Sequence, residues 1–145
     1  MVLLCLAAAP SAVMAESGSP EAEVRAAMSG FMDALNALDA DRMATFFAPD
    51  ITAFVPLAQA ERVEGKDAVV RIFRAFVERT RPTASRLSLA PEDLKLELSG
   101  SLAVVTFNIR DAAGLVRRRT FVWRRTEDRW LISHFHASDL APPRP

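Results

Sequence analysis

The sequence predicts an α+β domain in which three N-terminal helices cover a strongly curved, cone-shaped antiparallel β-sheet. Over residues 21–38 and 66–80, apolar residues recur mainly at spacings of three and four, which is the period of a helix. From about residue 86 onward, alternating segments are separated by short turns, which is the pattern of a β-meander. Helices gathered on one face of such a sheet form two layers around one core. Long strands that bend around the helices make a cone, and a cone encloses a cavity.

The helices are predicted over residues 21–38, 40–47 and 66–80. Pro20 is well placed at the start of the first helix, because the N–H that proline lacks would be unpaired there anyway. Gly65 provides the turn into the third helix, which has a broad apolar face. All three helices are therefore expected to bury their apolar faces against the sheet.

The strands are predicted over 51–57, 62–64, 86–98, 102–110, 115–126 and 129–138. Pro91 interrupts the third of these segments, so a bulge or kink is expected there, because proline cannot donate to the hydrogen-bond ladder. The short second strand belongs to a hairpin with the first. The remaining four strands form a long meander.

The chain is predicted to divide into a signal peptide over 1–15, a linker over 16–20, one domain over 21–140 and an extended tail over 141–145. One domain is what a chain of 145 residues accommodates. Small residues at Val13 and Ala15 fit cleavage after Ala15. The protein is therefore expected to be periplasmic or secreted.

The apolar run from Val2 to Val13 is about a dozen residues long, and a bilayer span needs ~20. No integral membrane span is therefore expected in the mature chain. A buried first helix is the alternative explanation of this run, but Pro10 and the Ser-Gly-Ser-Pro stretch at 17–20 would break a helix that continued inward.

Composition excludes several classes of function. Lys+Arg and Asp+Glu each number 18, so the chain lacks the basic excess that nucleic-acid binding requires. The single cysteine, Cys5, lies in the predicted signal peptide. The mature chain would then have no disulfide, no cysteine nucleophile and no thiolate metal site.

Three strings carry a family resemblance: the segment 34–50, the Glu64-Gly-Lys-Asp-Ala68 turn, and the ending Trp130-Leu-Ile-Ser-His-Phe-His-Ala-Ser138. In this order they resemble the nuclear transport factor 2-like superfamily, which includes SnoaL-like cyclases and ketosteroid isomerases. The ending is similar to the last strand of the calcium/calmodulin-dependent protein kinase II association domain. The resemblance covers about 21–140 and implies a cystatin-like cone, a ligand pocket and a homodimer or larger homo-oligomer.

His134 and His136 are the first candidate site residues. They lie two apart on one predicted strand, so both are expected on the same face as Trp130 and Ile132. Histidine can act as a general base or bind an anion near neutral pH. Two histidines alone do not complete a metal site, so no metal and no cofactor are predicted. A partly buried histidine pair at the sheet edge is the alternative.

Arginines on the strands are the second candidates. Regular alternation places Arg117 and Arg119 on one face with Phe121 and Trp123. The planar guanidinium fork binds a carboxylate at two positions, so an arginine inside the cone would favour a carboxylate-bearing ligand. Arg110 and Arg119 are the preferred pocket residues. The alternative is exposure on the outer face.

Aromatic side chains complete the predicted pocket, with Phe54, Phe73 and Trp123 as candidate lining residues. The resemblance to ketosteroid isomerases implies a carboxylate base near the end of the first strand. Here that place holds Val55-Pro56, and the chain has no tyrosine to stabilise an enolate oxygen. This argues against proton abstraction by that route.

The favoured function is therefore an exported module that binds a small hydrophobic or carboxylate-bearing molecule, or forms oligomers, without catalysis. The alternative is a lyase, isomerase or cyclase with His134 or His136 as base and an arginine as oxyanion partner. A third hypothesis is an inhibitor or immunity-type partner of another exported protein. No nucleic-acid partner is expected.

Overall fold

A computed structural model describes residues 18–56, 61–111 and 113–140. The predicted signal peptide, its cleavage site after Ala15, Cys5 and the tail over 141–145 lie outside these residues, as does Leu57 at the end of the first predicted strand. Residues 16 and 17 of the predicted linker over 16–20 do so too. The α+β prediction is confirmed, with helices on one side and a six-stranded open sheet on the other.

Three helices form the first layer: α1 (Pro20–Asn36), α2 (Ala40–Ala44) and α3 (Lys66–Thr80). The Ser19 hydroxyl accepts a hydrogen bond from the Ala22 backbone N–H and caps α1, while Asp39 caps α2 by accepting from Arg42 N–H. These caps satisfy donors that the first helical turn leaves unpaired. Gly65 precedes α3 at a φ of 85°, a conformation that favours glycine.

The strands are β1 (Phe47–Phe54), β2 (Val63–Glu64), β3 (Glu92–Ser99), β4 (Leu102–Arg110), β5 (Val116–Thr126) and β6 (Arg129–Asp139). They lie in the order β2-β1-β6-β5-β4-β3. The expectation of a fully antiparallel sheet is wrong for one pair, because β1 runs parallel to β6. The last strand returns beside the first with the same direction, so the sheet is mixed.

Two element boundaries differ from the sequence prediction. Phe47 already belongs to β1, so α2 ends at Ala44 and Pro49 lies in a strand, at a shift in the β1–β6 register. The third predicted strand loses its first half: β3 begins only after Pro91. Leu87 and Leu89 instead lie in a loop that the Asn36 side chain and carbonyl hold by hydrogen bonds to the loop backbone.

The core lies between the helices and the inner face of the sheet. Phe31 on α1 is 1% exposed and its ring contacts four others, with centroid distances of 5.4–6.1 Å. These partners belong to α3, β1, β5 and the turn before β1, and they are Phe46, Phe47, Phe73 and Phe121. Aromatic rings at such distances stabilise the folded state beyond the contribution of their buried apolar area. This cluster therefore joins both layers of the fold.

A β-bulge at Ser133 changes which side chains of β6 face the core. Val122 pairs with His134, and the next residue of β5, Trp123, pairs with Ile132. Ser133 is the extra residue, and its hydroxyl donates to the Val122 carbonyl at 3.2 Å. An inserted residue shifts the alternation of a strand by one. Ile132 before the bulge and Phe135 after it are both buried as a result.

Phe135→Ala is expected to destabilise the protein by about 3 kcal/mol or more, because the bulge turns this ring into the core and its loss leaves a cavity there. The measurement is urea-induced unfolding followed by circular dichroism. Ser133→Ala is the control, which loses only one hydrogen bond and should cost about 1 kcal/mol. A Phe135→Ala variant as stable as the control would contradict the inward orientation of Phe135.

Candidate functional site

A cavity of about 400 Å³ lies between the helices and the inner face of the sheet, near the ends of β5 and β6 that carry Arg117 and Asp139. Fifteen of its twenty lining residues are apolar. They come from α1, α3, the end of β1, the loop before β3 and strands β4 to β6, and are Phe31, Met32, Leu35, Val55, Pro56, Ile72, Phe73, Phe76, Leu87, Leu89, Phe107, Ile109, Phe121, Phe135 and Ala137. The volume and the apolar lining are typical of a small-molecule site.

Charged side chains form one end of this cavity. The Arg117 guanidinium donates to Asp139 and, at 3.0 Å, to Asp111. The Asp111 carboxylate also accepts from the backbone N–H groups of Leu115 and Ala113, so the backbone bond from Leu115 and the bond from Arg117 hold the pKa of Asp111 below its usual value. Hydrogen bonding to Asp139 raises the pKa of Arg117. The carboxylates of Asp111 and Asp139 therefore hold the Arg117 guanidinium in one position.

Arg119 lies beside this network and is more deeply placed, with a side chain 16% exposed. Its Nη1 donates to the carbonyl oxygens of Arg118 at 2.7 Å and Ser138 at 3.4 Å. The Asp139 carboxylate is 3.9 Å away, too far for a hydrogen bond. Burial lowers the pKa of Arg119, an effect that the Asp139 charge opposes and the Arg117 charge reinforces.

Of the residues that the sequence nominated, Phe73 and Arg119 line the cavity. Trp123 is fully buried in the core beyond the cavity wall. Arg110 does not line the cavity: it pairs with exposed Glu92 and is in register with Val116, not with Arg117 or Arg119. Phe54 is 38% exposed and also lies away from the cavity.

The expectation that His134 and His136 share a face with Trp130 and Ile132 is wrong. The Ser133 bulge places the two histidines on the outer face of the sheet, the face turned away from the helices. Thr52 and Phe54 of β1 pair with them in register there. The structure thus brings His134, His136 and Phe54 together, but on the opposite side of the sheet from Arg119.

The outer-face histidines have defined contacts. His134 Nδ1 lies 2.7 Å from the Thr52 hydroxyl, and the Phe54 ring lies 6.0 Å from the rings of both His134 and His136 in edge-on geometry. Burial lowers the pKa of His134, and the charges of His136 and Arg62 act in the same direction. Among the described residues, no cluster of three or more His, Cys, Asp or Glu side chains is placed to hold a metal ion.

Sequence reasoning missed Asp111 and Asp139 as members of the site. Asp111 belongs to a turn whose geometry is not visible from residue types alone. Asp139 shares the cavity-facing side with Phe135 and Ala137 only because of the bulge. The pairing of β4 with β5 could have excluded Arg110 from the site. When the cross-strand pairs are counted from Val105–Phe121 towards the hairpin turn, Arg110 pairs with Val116 and not with Arg117 or Arg119.

This fold agrees with the comparisons with known proteins. Residues 24–142 match the model of the SnoaL-like domain family. Because the match spans most of the chain, the protein belongs to that family, and the resemblance found in the sequence is confirmed. No curated protein matches the chain. Within the described residues, none of the helices has the length and apolar character needed to cross a membrane.

Solved structures with the same fold are distant in sequence. A Streptomyces avermitilis protein of the NTF2-like family, provisionally assigned as a dehydratase, is 18% identical, with 84% of this chain and 97% of that chain covered and a TM-score of 0.70. The S. rosetta CaMKII hub is 22% identical, with 85% and 98% covered and a TM-score of 0.68. A Caulobacter vibrioides protein with a cystatin-like fold is 20% identical, with 86% and 92% covered and a TM-score of 0.66. At these identities the likeness shows the fold alone.

The pH dependence of stability should include a contribution from His134. Its pKa lies below the ordinary 6.5, so the unfolded chain binds a proton more readily than the folded one. The resulting stability is present above pH ~6.5 and is lost as the pH falls through the folded-state pKa. In urea unfolding at pH 8 and pH 5, His134→Gln should lose less stability on acidification than the wild type.

The control for this measurement is His136→Gln, which changes the exposed histidine on the same face. It should retain most of the acid-dependent loss of the wild type, because burial is the main cause of the lowered His134 pKa and the His136 charge only adds to it. An identical loss in wild type and His134→Gln would show that His134 does not titrate with folding.

Proposed function

We propose that the protein binds a small, mainly apolar molecule in the cavity between its helices and the inner face of its sheet. The observation that carries this proposal is the cavity itself, about 400 Å³ in volume and lined by six phenylalanines, with charged groups only at one end. Apolar walls with a few convergent polar groups are the usual composition of ligand sites. Membership of the SnoaL-like family supports the same function.

The structure favours ligand binding over a reaction in which a histidine acts as the base. The lyase, isomerase or cyclase alternative required His134 or His136 within reach of a bound substrate. Both lie on the outer face, with Phe54 and Thr52. Asp111 and Asp139 at the cavity end both accept hydrogen bonds from Arg117. The hydrogen bonds to Asp111, from the Leu115 backbone and from Arg117, favour its ionised form over proton transfer.

Self-association through the outer face is the second candidate function. Half-buried Val104 and Val122, with Thr120 beside them, form an uncharged strip along β4 and β5. Exposed Phe54 of β1 lies on the same face beyond the two histidines of β6. None of the described helices covers this face. Apolar surface of this kind marks interaction sites, and the likeness to a CaMKII hub supports a homodimer or larger homo-oligomer.

We also propose that the protein acts in the periplasm or outside the cell. The apolar run from Val2 to Val13 and the Val13-Met14-Ala15 sequence support cleavage after Ala15. A mature chain from Glu16 would retain every residue of the described cavity.

Native mass spectrometry of the full-length gene product, purified from the export compartment of its host, tests these proposals together. The expected result is a subunit mass that begins at Glu16, an assembly of two or more subunits, and a small molecule released on denaturation. A mass that begins at Met1 would contradict cleavage after Ala15. A monomer at micromolar concentration would contradict self-association.

Filling the cavity should abolish binding of a neutral apolar probe such as N-phenyl-1-naphthylamine. Ala137 lines the cavity, so Ala137→Trp should weaken binding by about tenfold or more, equivalent to ~1.4 kcal/mol. Probe fluorescence reports the dissociation constant. The matched control is His136→Trp, which places the same side chain on the adjacent residue but on the outer face.

His136→Trp should bind the probe as the wild type does. Absence of probe binding by the wild type, or equal binding by Ala137→Trp and wild type, would remove the cavity as the binding site. Loss of binding in His136→Trp alone would move the site to the outer face.

A further inference from the structure

Arg119 has hydrogen-bonding capacity that the rest of the protein leaves unused. Both of its hydrogen bonds within the described residues come from Nη1 and go to neutral backbone carbonyls. Over residues 18–56, 61–111 and 113–140, its Nε and Nη2 groups have no acceptor. The Arg119 side chain is 16% exposed, so its guanidinium is partly dehydrated and its remaining donors favour an anionic partner.

The nearest carboxylate is already committed elsewhere. Asp139 accepts from Arg117, and its other oxygen is 3.9 Å from Arg119 Nη1. Asp111 on the far side also bonds Arg117. The cluster as a whole is formally neutral, but its two negative charges both lie around Arg117. Arg119 is therefore the cation to which an incoming anion can bind.

The surroundings of Arg119 determine what that anion can be attached to. Arg119 pairs in register with Phe107 of β4 and with Ala137 of β6, and all three line the cavity. Phe121 follows on the same face of β5. The guanidinium thus lies at one end of an apolar wall, so a ligand that reaches both has a charged head and an apolar body.

The charge of the head group is also restricted. Asp139 and Asp111 line the same end of the cavity as Arg119, and both would repel a second negative charge. A planar carboxylate matches the guanidinium fork, whereas a phosphate ester would bring more charge than the single arginine offers. This excludes sugar phosphates and nucleotides, whose polar bodies also do not match the apolar wall.

We propose that the ligand of this cavity is a monocarboxylic acid with an apolar chain or ring, whose carboxylate accepts hydrogen bonds from Arg119. This inference rests on the proposed function, since it names the class of molecule that the cavity binds. Asp139 is a specificity-determining residue in this arrangement, because its charge competes with the ligand for Arg119.

Matched ligands test this proposal. 4-Phenylbutanoate and 4-phenylbutan-1-ol share one apolar body and differ in the charge of the head group. Each is titrated at pH 7.5 against wild-type protein loaded with N-phenyl-1-naphthylamine. The acid should displace the probe at about tenfold lower concentration than the alcohol, as a charge-assisted hydrogen bond requires.

Variants then test whether Arg119 causes the preference for the acid over the alcohol. Arg119→Gln should remove the advantage of the acid and leave the affinity for the alcohol unchanged. Asp139→Asn should increase the affinity for the acid several-fold without changing that for the alcohol, a gain that a merely structural role would not produce. Arg110→Gln is the control, because this exposed arginine pairs with Glu92 outside the cavity, and it should change neither ligand.

The outcomes separate this inference from the proposed function. If both ligands displace the probe equally well from the wild type, the cavity binds small molecules but the carboxylate assignment is overturned. If the wild type binds neither the probe nor either ligand, the proposed function fails and this inference fails with it. If Arg119→Gln does not fold, Asp139→Asn decides: unchanged or weaker acid binding overturns the proposal.

Discussion

The aromatic cluster around Phe31 is the interaction on which the rest of the structure depends. One buried ring on α1 touches rings from α3, β1 and β5, so the helical layer and the sheet share a single anchor. Gly30 beside it leaves space for the Phe46 ring, whose Cζ would lie 2.9 Å from any added Cβ. Close approach of the two layers at this point sets how far they can separate elsewhere.

The cavity follows from where this packing ends. Around Phe31 and Trp123 the inner face of the sheet carries bulky apolar residues, and the helices close over them. Further along β5 the same face continues with Arg119 and Arg117, which cannot be buried without partners. Helix and sheet diverge there, and the space between them keeps apolar walls with a charged end. A single face of one strand thus changes from buried core at Trp123 to cavity wall at Arg119 and Arg117.

Sequence alternation predicted this face of β5 correctly, since the strand is regular and Arg117, Arg119, Phe121 and Trp123 do lie on one side. It failed on β6, because a bulge adds one residue, and residue types do not reveal which one. Alternation along β4 is regular too, with Val105, Phe107 and Ile109 buried, so it places Arg110 on the outer face. Only the assignment of that face to the pocket was wrong. Element types were therefore predictable from local periodicity. The site depended on pairing between strands, which is a property of the assembled sheet.

The pairing of β1 with β6 also affects the time at which the protein can fold. β6 lies near the middle of the sheet, yet it is the last of the described elements along the chain. The ribosome must add roughly 80 residues after β1 before its partner exists, which takes about 4–16 s at ordinary elongation rates. During that interval α1, α2 and β1 have no central strand to pack against, and ribosome-bound chains that stop before β6 should be readily cleaved by protease. A chain with this topology therefore cannot complete its sheet until β6 has left the ribosome.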